Sequence, residues 1–144
     1  MISVHDNHLY GFAASSTKQR FVLHTKFPLE NQAWEFTDVV FDGVVAMRID
    51  DICMSQSILG EVYEKSAAVF FDTFEDVLKV EDKWGIKHSY LWLPFKYINK
   101  EDFIGKIQAN SLLCFEVDSS WGLNGFVVAK CCTRVSRDCE AEIV

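Results

Sequence analysis

The chain has 144 residues, 49% of them hydrophobic and 24% charged, with two prolines and seven glycines. That length suits one hydrophobic core, and the composition excludes a disordered, collagen-like or low-complexity chain, so a single globular domain over 1–144 is expected. Fourteen basic against twenty-one acidic residues leave a net charge of −7. Phosphates are held by Lys and Arg, so this balance argues against a nucleic-acid partner and favours a basic one.

The longest apolar run is residues 67–71, far short of the ~18 needed to span a bilayer, so no membrane partner is expected. Residues 1–8 lack the basic-then-apolar order of a signal peptide. The cysteines, Cys53, Cys114, Cys131, Cys132 and Cys139, are odd in number, and none forms a Cys-x-x-Cys pair. That is neither a disulfide framework nor a structural zinc set, and reduced thiols in a cytoplasm are expected.

In chain order, residues 9–13 form a short apolar strand followed by the polar turn 15–18. Residues 19–27 alternate, with Phe21, Leu23, Thr25 and Phe27 on one face and Val22, His24 and Lys26 on the other, until Pro28 ends the strand. Residues 34–41 alternate again, with Trp34, Phe36, Asp38 and Val40 opposite Glu35, Thr37, Val39 and Phe41. Asp42-Gly43 signals a hairpin into a strand at 44–49, because both residues tolerate positive φ. Residues 57–65 read as a further strand. The period then changes: Ala67, Phe70, Phe71, Phe74, Val77, Leu78 and Trp84 fall on one helical stripe. They predict a helix of ~18 residues over 67–84, capped by Ser66 and stopped by Gly85. Residues 90–95 are an edge strand or a packed loop. Asn99 caps a shorter helix ending near Asn110, with Phe103, Ile104 and Ile107 inward. Residues 112–117 and 126–135 close the chain as a hairpin, and 136–144 is a polar tail expected to fray. The fold class is therefore α+β: an antiparallel sheet, meander plus C-terminal hairpin, with one long and one short helix packed on it.

No motif fixes a reaction. His5 and His8 are three apart in an extended or turn segment and point apart, so no metal is expected there. No Gly-x-Ser-x-Gly elbow, Gly-x-Gly-x-x-Gly or Walker sequence occurs, so neither catalytic residues nor a cofactor are expected. The acidic residues Glu35, Asp38, Asp42, Asp50 and Asp51 cluster in the first half and form a candidate rim for a basic partner. In the turn 118–125, Trp121 is a large aromatic near a loop tip, the candidate anchor for a partner.

Three blocks carry a resemblance: His5-Asp6-x-x-Leu9-x-Gly11; Asp38-Val39-Val40-Phe41-x-Gly43-Val44; and Ser119-Ser120-Trp121-Gly122-Leu123-x-Gly125-x-Val127-x-Ala129. Together they resemble small bacterial proteins that look like immunity proteins of polymorphic toxin systems, including contact-dependent growth inhibition. The resemblance implies a cytoplasmic, non-enzymatic antitoxin that binds and blocks one cognate toxin domain, often a nuclease, and it supplies no catalytic residues. An acidic chain can occlude a basic nuclease cleft by imitating its substrate's charge. The alternative is a small-molecule or structural binding domain with a pocket between sheet and helix.

Overall fold

A computed structural model describes residues 3–50, 57–78, 93–122 and 124–142. Eight strands form one antiparallel sheet: β1 (His8–Ser15), β2 (Arg20–Pro28), β3 (Trp34–Asp42), β4 (Ala46–Asp50), β5 (Ser57–Lys65), β6 (Leu113–Trp121), β7 (Asn124–Ala129) and β8 (Cys131–Arg137). Their order is β4-β7-β6-β5-β1-β2-β3-β8. The expected meander is the β1-β2-β3 run, whose short polar links permit only antiparallel neighbours.

The sheet folds over on itself. Phe41 of β3 and Phe115 of β6, far apart in strand order, bring their rings to 5.5 Å. Between the two halves lies a core that includes Phe21, Leu23, Val39, Phe41, Leu59, Val62, Phe115, Val117 and Val127. Two bent strand pairs make the corner. β3 and β8 pair up to Asp42 and Cys131, and after the bend β4 pairs with β7 from Ala46 and Val128. Gly43 sits at this corner with φ +66°, and a Cβ there would stand 2.6 Å from Lys130 Cγ.

Asp42-Gly43 is therefore not the hairpin that the sequence suggested. β4 never pairs with β3; it leaves across the corner to reach β7. The positive φ that an Asp-Gly pair supplies serves a bend in one long strand instead of a reversal. Likewise, the strand expected at 126–135 bends at Lys130, whose N–H donates to Asp42 O at 3.0 Å.

Helices α1 (Ala67–Thr73), α2 (Glu75–Leu78) and α3 (Lys100–Ala109) cover the outer face of β6 and β7. Phe70, Phe71, Phe103 and Ile107 pack there on Cys114, Phe126 and Val128. β7 thus has protein on both faces, which is why Phe126, Val127, Val128 and Ala129 are all buried rather than alternating. The single long helix expected over 67–84 is broken at Phe74 (φ −110°). One turn earlier, the Thr73 hydroxyl donates to Val69 O at 2.8 Å, a bond that bends helices. Residues 79–84, Gly85 and 90–92 lie outside the described residues. α3 follows the sequence: Asn99 Oδ1 accepts the Asp102 N–H at 2.8 Å, and Asp102 in turn accepts from Ile98 N and Lys106 Nζ. Its neighbour Lys106 holds the Asp102 carboxyl below its ordinary value.

The tail is not frayed over 136–142. Ser136 and Arg137 belong to β8, and Ala141 is buried with its N–H bonded to the Tyr10 hydroxyl at 2.9 Å. Among the described residues, no helix is long and apolar enough to cross a membrane.

Candidate functional site

The β2–β3 register sets His24 opposite Asp38 on the outer face of the sheet. The Asp38 carboxylate bridges two cations or donors: Oδ1 lies 2.8 Å from His24 Nδ1, and Oδ2 accepts from Arg137 Nη1 of β8 at 3.1 Å. The His24 and Asp38 side chains are only 10% and 9% exposed. Tyr10 of β1 completes the cluster, its ring 5.9 Å from that of His24. Burial pushes the Tyr10 hydroxyl up, while the hydrogen bond to Asp38 raises Arg137 further above its ordinary value.

A carboxylate on Nδ1 is the half of a hydrolytic triad that orients the base. The nucleophilic half is missing: among the described residues, no hydroxyl or thiol is bonded to His24. What the cluster does is join four strands and the tail under one polar network. On the inner face a second chain runs from Asn7 Nδ2 to Thr25 Oγ1 (2.9 Å) and on to Thr37 O (2.6 Å). Of these, only the His24–Asp38 pair was within reach of the sequence, through the hairpin register; the other residues are scattered along the chain.

The candidate acidic rim is dispersed. Glu35 is exposed at the start of β3, and Asp42 lies at its other end, bound to Arg20 Nε at 2.7 Å. Asp50 is bound to Arg48 Nε at 2.7 Å, Asp38 is buried, and Asp51 lies outside the described residues. Three of the five are thus neutralised locally. Trp121 ends β6 with its backbone opposite Ile58, directly before the short link into β7. Leu123 lies outside the described residues.

One exposed apolar feature is the end of the β2–β3 hairpin. Phe27, Leu29 and Trp34 are 36–42% exposed, where Leu29 N–H donates to Ala33 O at 2.9 Å and Pro28 stands opposite Trp34. Exposed Glu30 and Glu35 flank them. The Trp34 ring is held by the Lys26 ammonium at 4.5 Å and by the edge of the His8 ring at 5.7 Å. His5, in contrast, pairs with Asp6 at 3.0 Å in the preceding turn.

A cleft of about 370 Å³ opens where β5 faces β8, lined by Glu61, Val62, Tyr63, Glu64, Phe115, Cys132 and Arg134. At the sheet–helix interface, where the sequence allowed a pocket, the described residues Phe70, Phe74, Phe103 and Phe126 pack their rings with centroids 4.7–6.2 Å apart. Burial pushes the Cys114 thiol to about 12 and that of Cys132 to about 11. Thiolate is the reactive species, so both stay protonated and slow at neutral pH. Brief alkylation of the native chain should therefore modify exposed Cys131 and Cys139 first, and Cys114 and Cys132 only after denaturation. Peptide mass mapping checks this; rapid labelling of Cys114 would contradict the packing of β6 under α1. Cys53 lies outside the described residues.

Comparison of the chain with protein-family models, with curated proteins and with solved structures gives no match.

Proposed function

We propose that this is a non-catalytic binding protein of the immunity type, which docks a basic partner domain through the end of its β2–β3 hairpin. The observation that carries the reading is the group Phe27, Leu29 and Trp34, all exposed at this end of the hairpin with Glu30 and Glu35 beside them, Phe27 on one face and Trp34 on the other. Aromatic anchors within a charged rim are the usual make-up of an energetic centre in a protein interface. Trp34 is preorganised by Lys26 and His8, so little side-chain freedom is lost on binding. Of the described acidic residues considered from sequence, Glu35 lies at this end and is exposed; a net charge of −7 supplies the long-range attraction. The specific partner is a toxin domain, as the resemblance implies.

The test is binding to, and protection against, the C-terminal domain of a large secreted protein encoded beside this chain. Trp34→Ala should speed dissociation by about tenfold to a hundredfold, whereas reversing Glu30 and Glu35 together should slow association and flatten its salt dependence. Stopped-flow kinetics separate the two effects. Wild-type kinetics in both variants would remove the hairpin from the interface, and failure to bind or protect would overturn the reading itself.

A further inference from the structure

Val62 of β5 turns its backbone away from β6. Its N–H donates to Glu61 Oε1 at 2.9 Å and its C=O accepts from Arg134 Nη2 at 3.0 Å, while Arg134 and Glu61 bind each other at 2.9 Å. An ion pair thus stands where a neighbouring strand would be. β1 pairs with β5 only at Ser57 and Ile58, and the Asp6–Asn7 backbone extends that pairing to Leu59. Beyond Gly60, among the described residues, this edge has no strand.

Backbone groups alternate along a strand, so Glu64 presents its N–H and C=O on the same edge as Val62. Among the described residues, Glu64 has no backbone partner outside the sheet. Nor does its carboxylate make an ion pair among the described residues, where the neighbouring Lys65 reaches Glu116 and Arg134 is bound to Glu61. That charge is felt inside the cleft, where it adds to the burial that raises the Cys132 thiol. Across the gap stand Cys132 and Arg134 of β8, with Phe115 as the apolar wall.

We propose that the β5 edge from Val62 to Lys65 is a strand-addition site for an extended basic segment of the partner. Strand addition draws on main-chain hydrogen bonds and on pockets for alternate side chains. Glu64 offers both: an open N–H and C=O, and an uncompensated carboxylate for a Lys or Arg of the incoming strand. The cleft of about 370 Å³ takes one or two inward side chains against Phe115 and Val62. Arg134 and Glu61 cap Val62 until the segment replaces them, and in its absence such charges keep an edge from pairing indiscriminately. The inference rests on the binding-protein reading, but not on the hairpin surface.

The experiment titrates the isotope-labelled full chain with a blocked five-residue peptide of alternating Val and Lys, followed by amide NMR and hydrogen exchange. The Glu64 amide should shift and gain protection, together with shifts at Cys132 and Arg134, and Glu64→Lys should weaken binding about tenfold while Glu64→Gln weakens it less. Hairpin amides at Phe27 and Trp34 should stay unmoved. No response at about 1 mM peptide, shifts without protection of Glu64, an equal response to the same peptide with Glu for Lys, or an equal response to butylamine alone would each overturn the proposal. The last outcome would make the cleft a simple amine site. A toxin domain that binds Glu64→Lys as it binds wild type would also sink the edge site while leaving the binding-protein reading intact.

Discussion

Replacing Gly125 with Ala should cost the fold about 3 kcal/mol or more, because the obstacle is backbone. A Cβ at Gly125 would lie 1.9 Å from Arg48 O and 2.9 Å from Arg48 C, with Ile49 Cα at 3.0 Å. No side-chain rotation relieves that clash; β4 would have to leave β7, taking with it the packing of Val45 and Ala46 on the aromatic core under the helices. Against a total stability of roughly 5–15 kcal/mol, such a loss is large. Gly105→Ala is the internal control. Nothing lies within 4 Å of its added methyl, inside α3, so the gain in helix propensity should stabilise by about 0.5–1 kcal/mol. Urea denaturation of the two variants gives opposite signs if β4 is where the pairing places it. A Gly125→Ala variant within about 1 kcal/mol of wild type would mean that β4 does not approach so closely.

Local pattern carried the reading of the strands and of α3, because alternation and caps are short-range. Period 2 marks β2 and β3 wherever one face is core and the other is not, as at Phe21, Leu23, Val39 and Phe41. The long helix failed for a related reason. Phe70, Phe71, Phe74, Val77 and Leu78 all face the same core across the break, so their spacing keeps its helical period although the backbone does not. What needs the third dimension was out of reach. An Asp-Gly pair carries the same local information whether it closes a hairpin or bends one strand round a corner; only the partner of Ala46, which is Val128, distinguishes them.

The polar cluster was half legible. Pairing Pro28 with Trp34 across the short loop places His24 opposite Asp38 four residues further back on each strand, and directly opposite residues share a face. That register was the available signal for the dyad. Arg137 was not available, because β8 reaches β3 only through the sheet's fold-over. Reading the carboxylates as one rim failed on the same ground. Composition counts charges, but it does not show that Arg20, Arg48 and Arg137 stand beside Asp42, Asp50 and Asp38.

Those three pairs differ in what their loss should do, and the difference separates a structural carboxylate from a surface one. Asp42 and Asp50 are 36% and 45% exposed, so Ala at either should cost no more than about 1 kcal/mol. Asp38→Ala should cost about 3 kcal/mol, because it strips the acceptor from a His24 ring that stays buried. Arg137 is 36% exposed and can turn to water, so most of that penalty belongs to His24. The two effects can be separated with a second substitution. His24→Ala in the Asp38→Ala background removes the stranded imidazole, and the double variant should therefore be more stable than the sum of the single losses by about 1 kcal/mol or more. Asp38→Asn, which still offers His24 an oxygen, should fall between wild type and Asp38→Ala. Chemical denaturation of the set decides the matter. If Asp38→Ala costs no more than Asp42→Ala, the carboxylate is not what holds β2, β3 and β8 together, and its burial beside a histidine would call for a role in chemistry rather than in the fold.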